Sequence, residues 1–180
     1  MGGDIHDFQQ RLQRAFASLV NSPISERNKD LIRAFAKHCF ANGLKLPRIE
    51  KYVRTLRLIA ERYLDGRNFD ELTKNEMEGV VAEIEMGGYE AWTKHDYEVT
   101  LKVFYKWLGR EDLVSWIKPK KPRKEKLPDE LLREDEIKRL VEAAHSARDK
   151  ALVATLYESG ARISEIGNLR IKDVQFDDLG

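Results

Sequence analysis

The chain has 180 residues, 42% of them hydrophobic and 35% charged, which describes a globular protein with a densely charged surface and excludes a disordered tail. One cysteine, Cys39, excludes an internal disulfide, four scattered histidines give no metal-ligand spacing, and no apolar run approaches the roughly 18 residues of a membrane span. The formal net charge of +1 neither indicates nor excludes a polyanionic partner, so local charge must decide.

Helical periodicity dominates from the start. Ile5, Phe8, Leu12, Phe16 and Leu19 recur every three or four residues and predict a first amphipathic helix, which NSPISE interrupts. A second helix keeps Leu31, Ile32, Phe35 and Phe40 on one side, with Cys39 in a packing role, until Ala41-Asn42-Gly43 stops it. A third carries Tyr52, Leu56, Ile59 and Tyr63 and closes at the Asp65-Gly66 turn. Thr73 followed by Glu76 has the capping-box pattern and opens a fourth helix through Met77, Val80, Val81 and Ile84. A fifth runs through Val99, Val103, Phe104, Trp107 and Leu108 to Gly109, and the rings of Phe104, Tyr105 and Trp107 suit a packed face better than base stacking. Nothing in this half reads as a sheet.

Composition changes at residues 117–128, IKPKKPRKEKLP, which hold six basic residues, one acid and three prolines. Proline disfavours helix at the residue before it and like charges repel, so this segment is an extended linker between residues 1–116 and 129–180. Beyond it, LREDEIKRLVEAA predicts a helix with Ile137, Leu140 and Val141 inward. RDKALVATLYESG predicts a more apolar helix ending at Gly160, and RISEIGNL a last one. RIKDVQFDDLG alternates Ile171, Val174 and Phe176 and reads as a strand entering a hairpin turn. An isolated strand leaves its ladder groups unpaired, so the second unit is expected to belong to something longer. The expected fold is mainly α, with the start of a small sheet at the end.

Basic residues gather in three places. Lys118, Lys120, Lys121, Arg123, Lys124 and Lys126 form a strap between two helical units, which suits a polyanion because each cation seated on a phosphate releases a counterion. A solvated spacer has the same composition. Arg48, Lys51 and Arg54 surround the start of the third helix, and Lys94 and His95 the start of the fifth, where backbone amides also grip phosphate. Arg162 stands where a helix is about to begin, at the positive end of its dipole. Pairing with Glu158 or Glu165 is one account of it, and a bound phosphate is another. A third is a helix-turn-helix, with SGAR as the turn and Arg162, Ser164, Glu165 and Asn168 as the face that reads bases in a DNA-binding regulator. A helical protein-interaction module without a nucleic-acid role is a further alternative.

The segment RDKALVATLYESGARISEIGNLRIKDV closely resembles the stretch around the first catalytic arginine of tyrosine recombinases, the phage-integrase and Xer-like family. There an apolar helix leads to T/S-G-x-R-[IV]-S-E-[LI] and then L-x-x-x-D-[IV]. Ser159, Gly160, Arg162, Ile163, Ser164, Glu165, Ile166, Leu169 and Asp173 all fall on that pattern without a gap. LLREDEIKRLVEAA resembles the helix that opens the family's catalytic domain. PRIEKYVRTLRLIAERY and EAWTKHDYEVTLKVFYKWL resemble two helices of its N-terminal core-binding domain, a small SAM-like bundle.

The resemblance implies a site-specific recombinase acting on double-stranded DNA. Arg162 would be the first of two arginines that hold the scissile phosphate, where charge builds on the non-bridging oxygens as a tyrosine attacks, and Glu165 would brace it. Neither metal nor ATP is implied, because the phosphotyrosine link conserves the energy of the broken bond. A DNA-assembled homo-oligomer of the full-length protein is implied, in the cytoplasm and on the nucleoid when DNA is bound. The family's hairpin lysine, His-x-x-Arg motif, later His or Trp and nucleophilic tyrosine all follow the segment quoted. Tyr157 precedes Arg162, at a position the family does not use for attack, so this chain is expected to bind DNA without cleaving it.

Overall fold

The computed structural model describes residues 7–122 and 131–175. The chain divides into two compact units, Phe8–Arg123 and a second containing Lys124–Gly180, each described by itself. The first holds α1 (Phe8–Val20), α2 (Glu26–Ala41), α3 (Leu46–Tyr63), α4 (Lys74–Met86) and α5 (Ala91–Trp107).

α3 is the central helix: α1, α2 and α5 all pack on it, and α4 closes on α5. Ile49, Val53, Leu56, Ile59 and Ala60 recur along α3 every one to four residues and are all buried, the stripe that a 3.6-residue period places inward. Phe35, Phe69, Phe104 and Tyr105 fill the middle of the unit. Periodicity put Phe40 on the inner face of α2, but it is 43% exposed and Cys39 packs there at 2%. Ile32, Phe35, Ala36 and Cys39 share one side, whereas Phe40 lies roughly 140° around the axis from Phe35 at 100° per residue. α2 then ends in a Schellman motif, with Leu44 N–H donating to Cys39 O at 3.1 Å, Gly43 N–H to Phe40 O at 2.9 Å, and Gly43 at φ 71°.

Polar groups fasten the connections to this core. Buried Asn28 donates from Nδ2 to Arg67 O at 2.9 Å and accepts Phe69 N–H on Oδ1 at 2.9 Å, tying α2 to a single 3-10 turn, Phe69–Glu71. The Tyr105 hydroxyl donates to Phe69 O at 2.8 Å from the α5 side. No sequence pattern marked that turn.

Thr73 opens α4 through a capping box: its N–H donates to Glu76 Oε2 at 2.8 Å and Glu76 N–H donates to Thr73 Oγ1 at 3.4 Å. The bonds from Thr73, backbone first, and then Arg67 Nη1 at 3.0 Å, lower the Glu76 carboxyl from 4.5 to about 2. A depressed carboxyl stabilises the fold fully above its unfolded value, and that contribution is lost as pH falls from 4.5 toward about 2. Glu76→Gln is expected to flatten the acid limb of the stability curve in that window, read from urea midpoints. An unchanged limb would show that the box contributes nothing to acid stability.

The second unit holds α6 (Glu134–Ala143), α7 (Ala147–Ser159) and α8 (Ile163–Gly167), with α6 and α8 each against α7. None of its described side chains is buried. Ile137 and Val141 are half-buried and line a shallow cleft with Ala154 and Tyr157 of α7. Leu140, expected inward, is 46% exposed, because α7 alone covers only a narrow stripe of α6.

The expected strand is corrected over its described part. Ile171–Asp173 form a 3-10 turn, with Arg170 N–H donating to Asp173 Oδ2 at 3.2 Å and Arg170 Nε to the same oxygen at 2.9 Å. These local bonds favour a turn where no partner strand among the described residues offers a ladder. Phe176–Gly180 lie outside the described residues, as do Ile5 and Arg123, Lys124 and Lys126. Among the described residues the protein is mainly α and contains no strand.

Candidate functional site

Gly160 ends α7 in the left-handed region at φ 60° and ψ 13°, with its N–H on Leu156 O at 3.1 Å. A side chain is strained there, and the turn it permits delivers Arg162 to the start of α8. Arg162 is the N-cap residue of α8, and its side chain is 83% exposed.

Glu165 relieves the electrostatic misfit of a cation at that position. The Arg162 N–H donates to Glu165 Oε2 at 2.7 Å, and Arg162 Nη1 donates to Oε1 at 3.0 Å. The backbone bond and then the side-chain bond hold the Glu165 carboxyl below its ordinary range. Of the two acids weighed for Arg162, Glu165 is the one it bonds. One arm of the guanidinium is held while the others face outward, and five donors in a planar fork suit phosphate oxygens.

The helix expected to run through Leu169 stops early. α8 spans five residues, and Asn168, its C-cap, donates from Nδ2 to Ser164 O at 2.7 Å. Such a short helix cannot lay Arg162, Ser164, Glu165 and Asn168 along a major groove as a recognition helix does, so the helix-turn-helix lacks its second helix.

Of the predicted basic residues of the first unit, six line one of two clefts. At the start of α5, Lys94 and His95 line a cleft of about 320 Å³ together with Lys118 and Lys120, facing Glu85 and Glu98. The extended segment is brought there by Ile117, which is 2% exposed and whose carbonyl accepts Lys102 Nζ at 2.7 Å. Ile117 therefore packs with the helical unit, and Lys118 and Lys120 of the basic stretch stay against it at the α5 cleft. Lys94 Nζ donates to Glu85 O, while His95 stacks edge-on against Trp92 and its buried Nδ1 has no partner among the described residues. Burial first, and then the Glu85 charge, raise the Glu98 carboxyl above its ordinary value.

At the start of α3, exposed Arg48 and half-exposed Lys51 line a cleft of about 290 Å³ with Tyr52, Asp96 and Thr100. Lys51 pairs with Asp96 at 2.5 Å, and Arg54 reaches Glu50 at 3.7 Å. Neither α3 nor α5 has an acid in its first turn, and neither the Lys45 N-cap of α3 nor the Glu90 N-cap of α5 makes a side-chain capping bond, so no side-chain acceptor at the N-cap satisfies the first amides of either helix. Lys121 is exposed and lines neither cleft.

Sequence reasoning passed over Arg11, Arg14 and Arg57, which line a third cleft with Arg54. The signal was present: Arg48, Lys51, Arg54 and Arg57 continue at three-residue steps along one helix, and Arg11 and Arg14 repeat the step on another. Among the described residues, no three His, Cys, Asp or Glu side chains gather as a metal site, and no helix is long and apolar enough to cross a membrane.

The phage integrase family model matches residues 130–179. Tyrosine recombinase XerA of Pyrococcus horikoshii is 30% identical over 151 residues, covering 83% of this chain and 50% of the relative. XerA of Thermococcus kodakarensis is 30% identical over 157 residues, covering 86% and 52%, and tyrosine recombinase XerD of Oceanobacillus iheyensis is 30% identical over 116 residues, covering 59% and 38%. The chain spans about half the length of these XerA relatives. No solved structure matches it. The family model covers the Arg162 segment and the XerA similarities extend over more than four fifths of the chain, and the chain belongs to the phage-integrase family of tyrosine recombinases.

Proposed function

We propose that the chain grips the backbone of double-stranded DNA at a recombination site and presents Arg162 to the phosphate where a strand is cut. Residues 1–116 act as a SAM-like core-binding domain, 117–128 as a basic linker, and 129–180 as the opening of the catalytic domain and its small sheet. The observation that carries DNA binding is the gathering of Lys94, His95, Lys118 and Lys120 on one cleft at the start of α5, a helix with no acid in its first turn. A phosphate supplies the missing negative charge. Arg48, Lys51 and Arg54 extend the contact along α3, and Lys121, Arg123, Lys124 and Lys126 extend it along the linker.

Arg162 stabilises the charge that builds on the non-bridging oxygens in the transition state, and Glu165 keeps it oriented. Strand exchange is proposed for the whole protein, as a DNA-assembled homo-oligomer in the cytoplasm and on the nucleoid. It proceeds without metal or nucleotide cofactor, because a tyrosine–DNA phosphodiester conserves the bond energy.

Fluorescence anisotropy of a labelled duplex over a salt series tests DNA binding. Affinity is expected to fall with salt, with a log–log slope of about −0.9 per phosphate neutralised, and Lys118→Gln with Lys120→Gln is expected to make that slope shallower by about 1.8. No binding to any duplex at about 50 mM salt would overturn the proposal.

A further inference from the structure

The third cleft lies between α1 and α3, has a volume of about 220 Å³, and is lined by Arg11, Arg14 and Ser18 from α1 and by Glu50, Arg54 and Arg57 from α3. Four arginines line a space large enough for a phosphate group. Their compensation is unequal. Arg57 is neutralised, its Nη1 donating to both oxygens of Glu61 at 2.6 and 2.7 Å. Glu50, with a side chain only 10% exposed, is shared by Arg11 at 3.5 Å and Arg54 at 3.7 Å. Arg14 bonds to Gln10 and has no carboxylate partner among the described residues.

Arg11 and Arg54 thus share one buried carboxylate, and Arg14 adds a third positive charge that no carboxylate of the described residues meets. Like charges brought together on packed helices repel one another, and at separations shorter than a Debye length of about 8–10 Å salt does not remove that repulsion. The arrangement is nevertheless held in place. Glu50 anchors two arginines from the floor of the cleft, and the Arg11 guanidinium lies over the Phe8 ring at 5.3 Å from its centroid. Anchored in this way, the guanidinium groups present their remaining donors outward with less side-chain entropy to lose, and Ser18 adds a hydroxyl to the same space.

We infer that this cleft is a phosphate clamp and that α1 extends the DNA-contacting surface of the helical unit, with Arg11, Arg14 and Arg54 seating one backbone phosphate or two adjacent ones. The inference rests on the proposed binding of duplex DNA. It adds an anchoring point that involves neither the α5 cleft nor the linker. Arg54 is the hinge of the arrangement, because it continues the Arg48 and Lys51 series along α3 and also lines the α1 cleft.

The test compares the 180-residue protein with Arg14→Gln, with Arg11→Gln plus Arg14→Gln, and with Arg33→Gln on α2 as a control for removing charge away from the cleft. Duplex affinity is measured over a salt series, and thermal melts confirm the fold. Arg14→Gln leaves Glu50 and both its partners untouched, so it reports on binding even if the double variant is destabilised. Each phosphate that is no longer neutralised is expected to make the log–log slope shallower by about 0.9, which weakens binding about eightfold at 0.1 M salt relative to a 1 M reference. Arg33→Gln is expected to leave the slope unchanged. Wild-type binding with an Arg14→Gln slope and affinity equal to those of wild type would overturn the clamp and leave DNA binding standing. Absence of wild-type binding would overturn both.

Discussion

Phe104→Ala is expected to lower the stability of the helical unit by about 3–5 kcal/mol, the range for emptying a fully buried phenylalanine site. Phe104 has no exposed surface. Its ring meets Phe69 at 5.0 Å, Phe35 at 5.3 Å, and Tyr105 and Trp107 at 5.6 Å each, so four aromatic rings are left facing the void together. Those rings come from α2, the Phe69–Glu71 turn and α5, and no single one can shift to fill the space without disturbing another. All three tryptophans, Trp92, Trp107 and Trp116, lie in this unit, so their fluorescence reports its unfolding alone. A loss below about 1 kcal/mol by urea titration would mean that the site collapses readily and that Phe104 is not the centre of the core.

Amide hydrogen exchange is expected to divide the chain sharply. The slowest amides should be in α2, α3 and α5, which carry fully buried side chains such as Ile32, Leu56 and Leu101. Those of α6, α7 and α8 should exchange about a thousandfold faster or more, because opening them uncovers little apolar surface. The described side chains from Leu131 to Gln175 include none that is buried, while Leu131, Leu132, Tyr157, Ile163 and Leu169 are each about half exposed. Protection of α7 equal to that of α3 would contradict this and would require a packing partner for α7 that the described residues do not provide.

The five helices of the first unit were legible because each is amphipathic, and the Thr73–Glu76 box was legible because its bonds span three residues. Phe40 was misplaced because two neighbouring apolar residues cannot both face inward, and the composition of α2 does not say which one does. Over Ile171–Asp173 a 3-10 turn stands where a strand was expected, for a related reason. Alternating Ile171, Val174 and Phe176 suits a strand, but a strand is completed by its partner, whereas Arg170 and Asp173 close a turn from within the segment.

The candidate site divides along the same line. Local order determined the Arg162 turn: Gly160 supplies the left-handed residue, and Glu165, three positions on, supplies the carboxylate that a cation at a helix start requires. The tertiary structure decided which basic residues share a surface. Lys94 and Lys118 line one cleft because Ile117 is buried and Lys102 holds its carbonyl. Arg14 and Arg54, forty residues apart, line another because α1 packs on α3. Short-range hydrogen bonds and periodicity are written in the sequence. Which charges meet across two helices follows from the packing of their apolar faces, and that is settled only when the core forms.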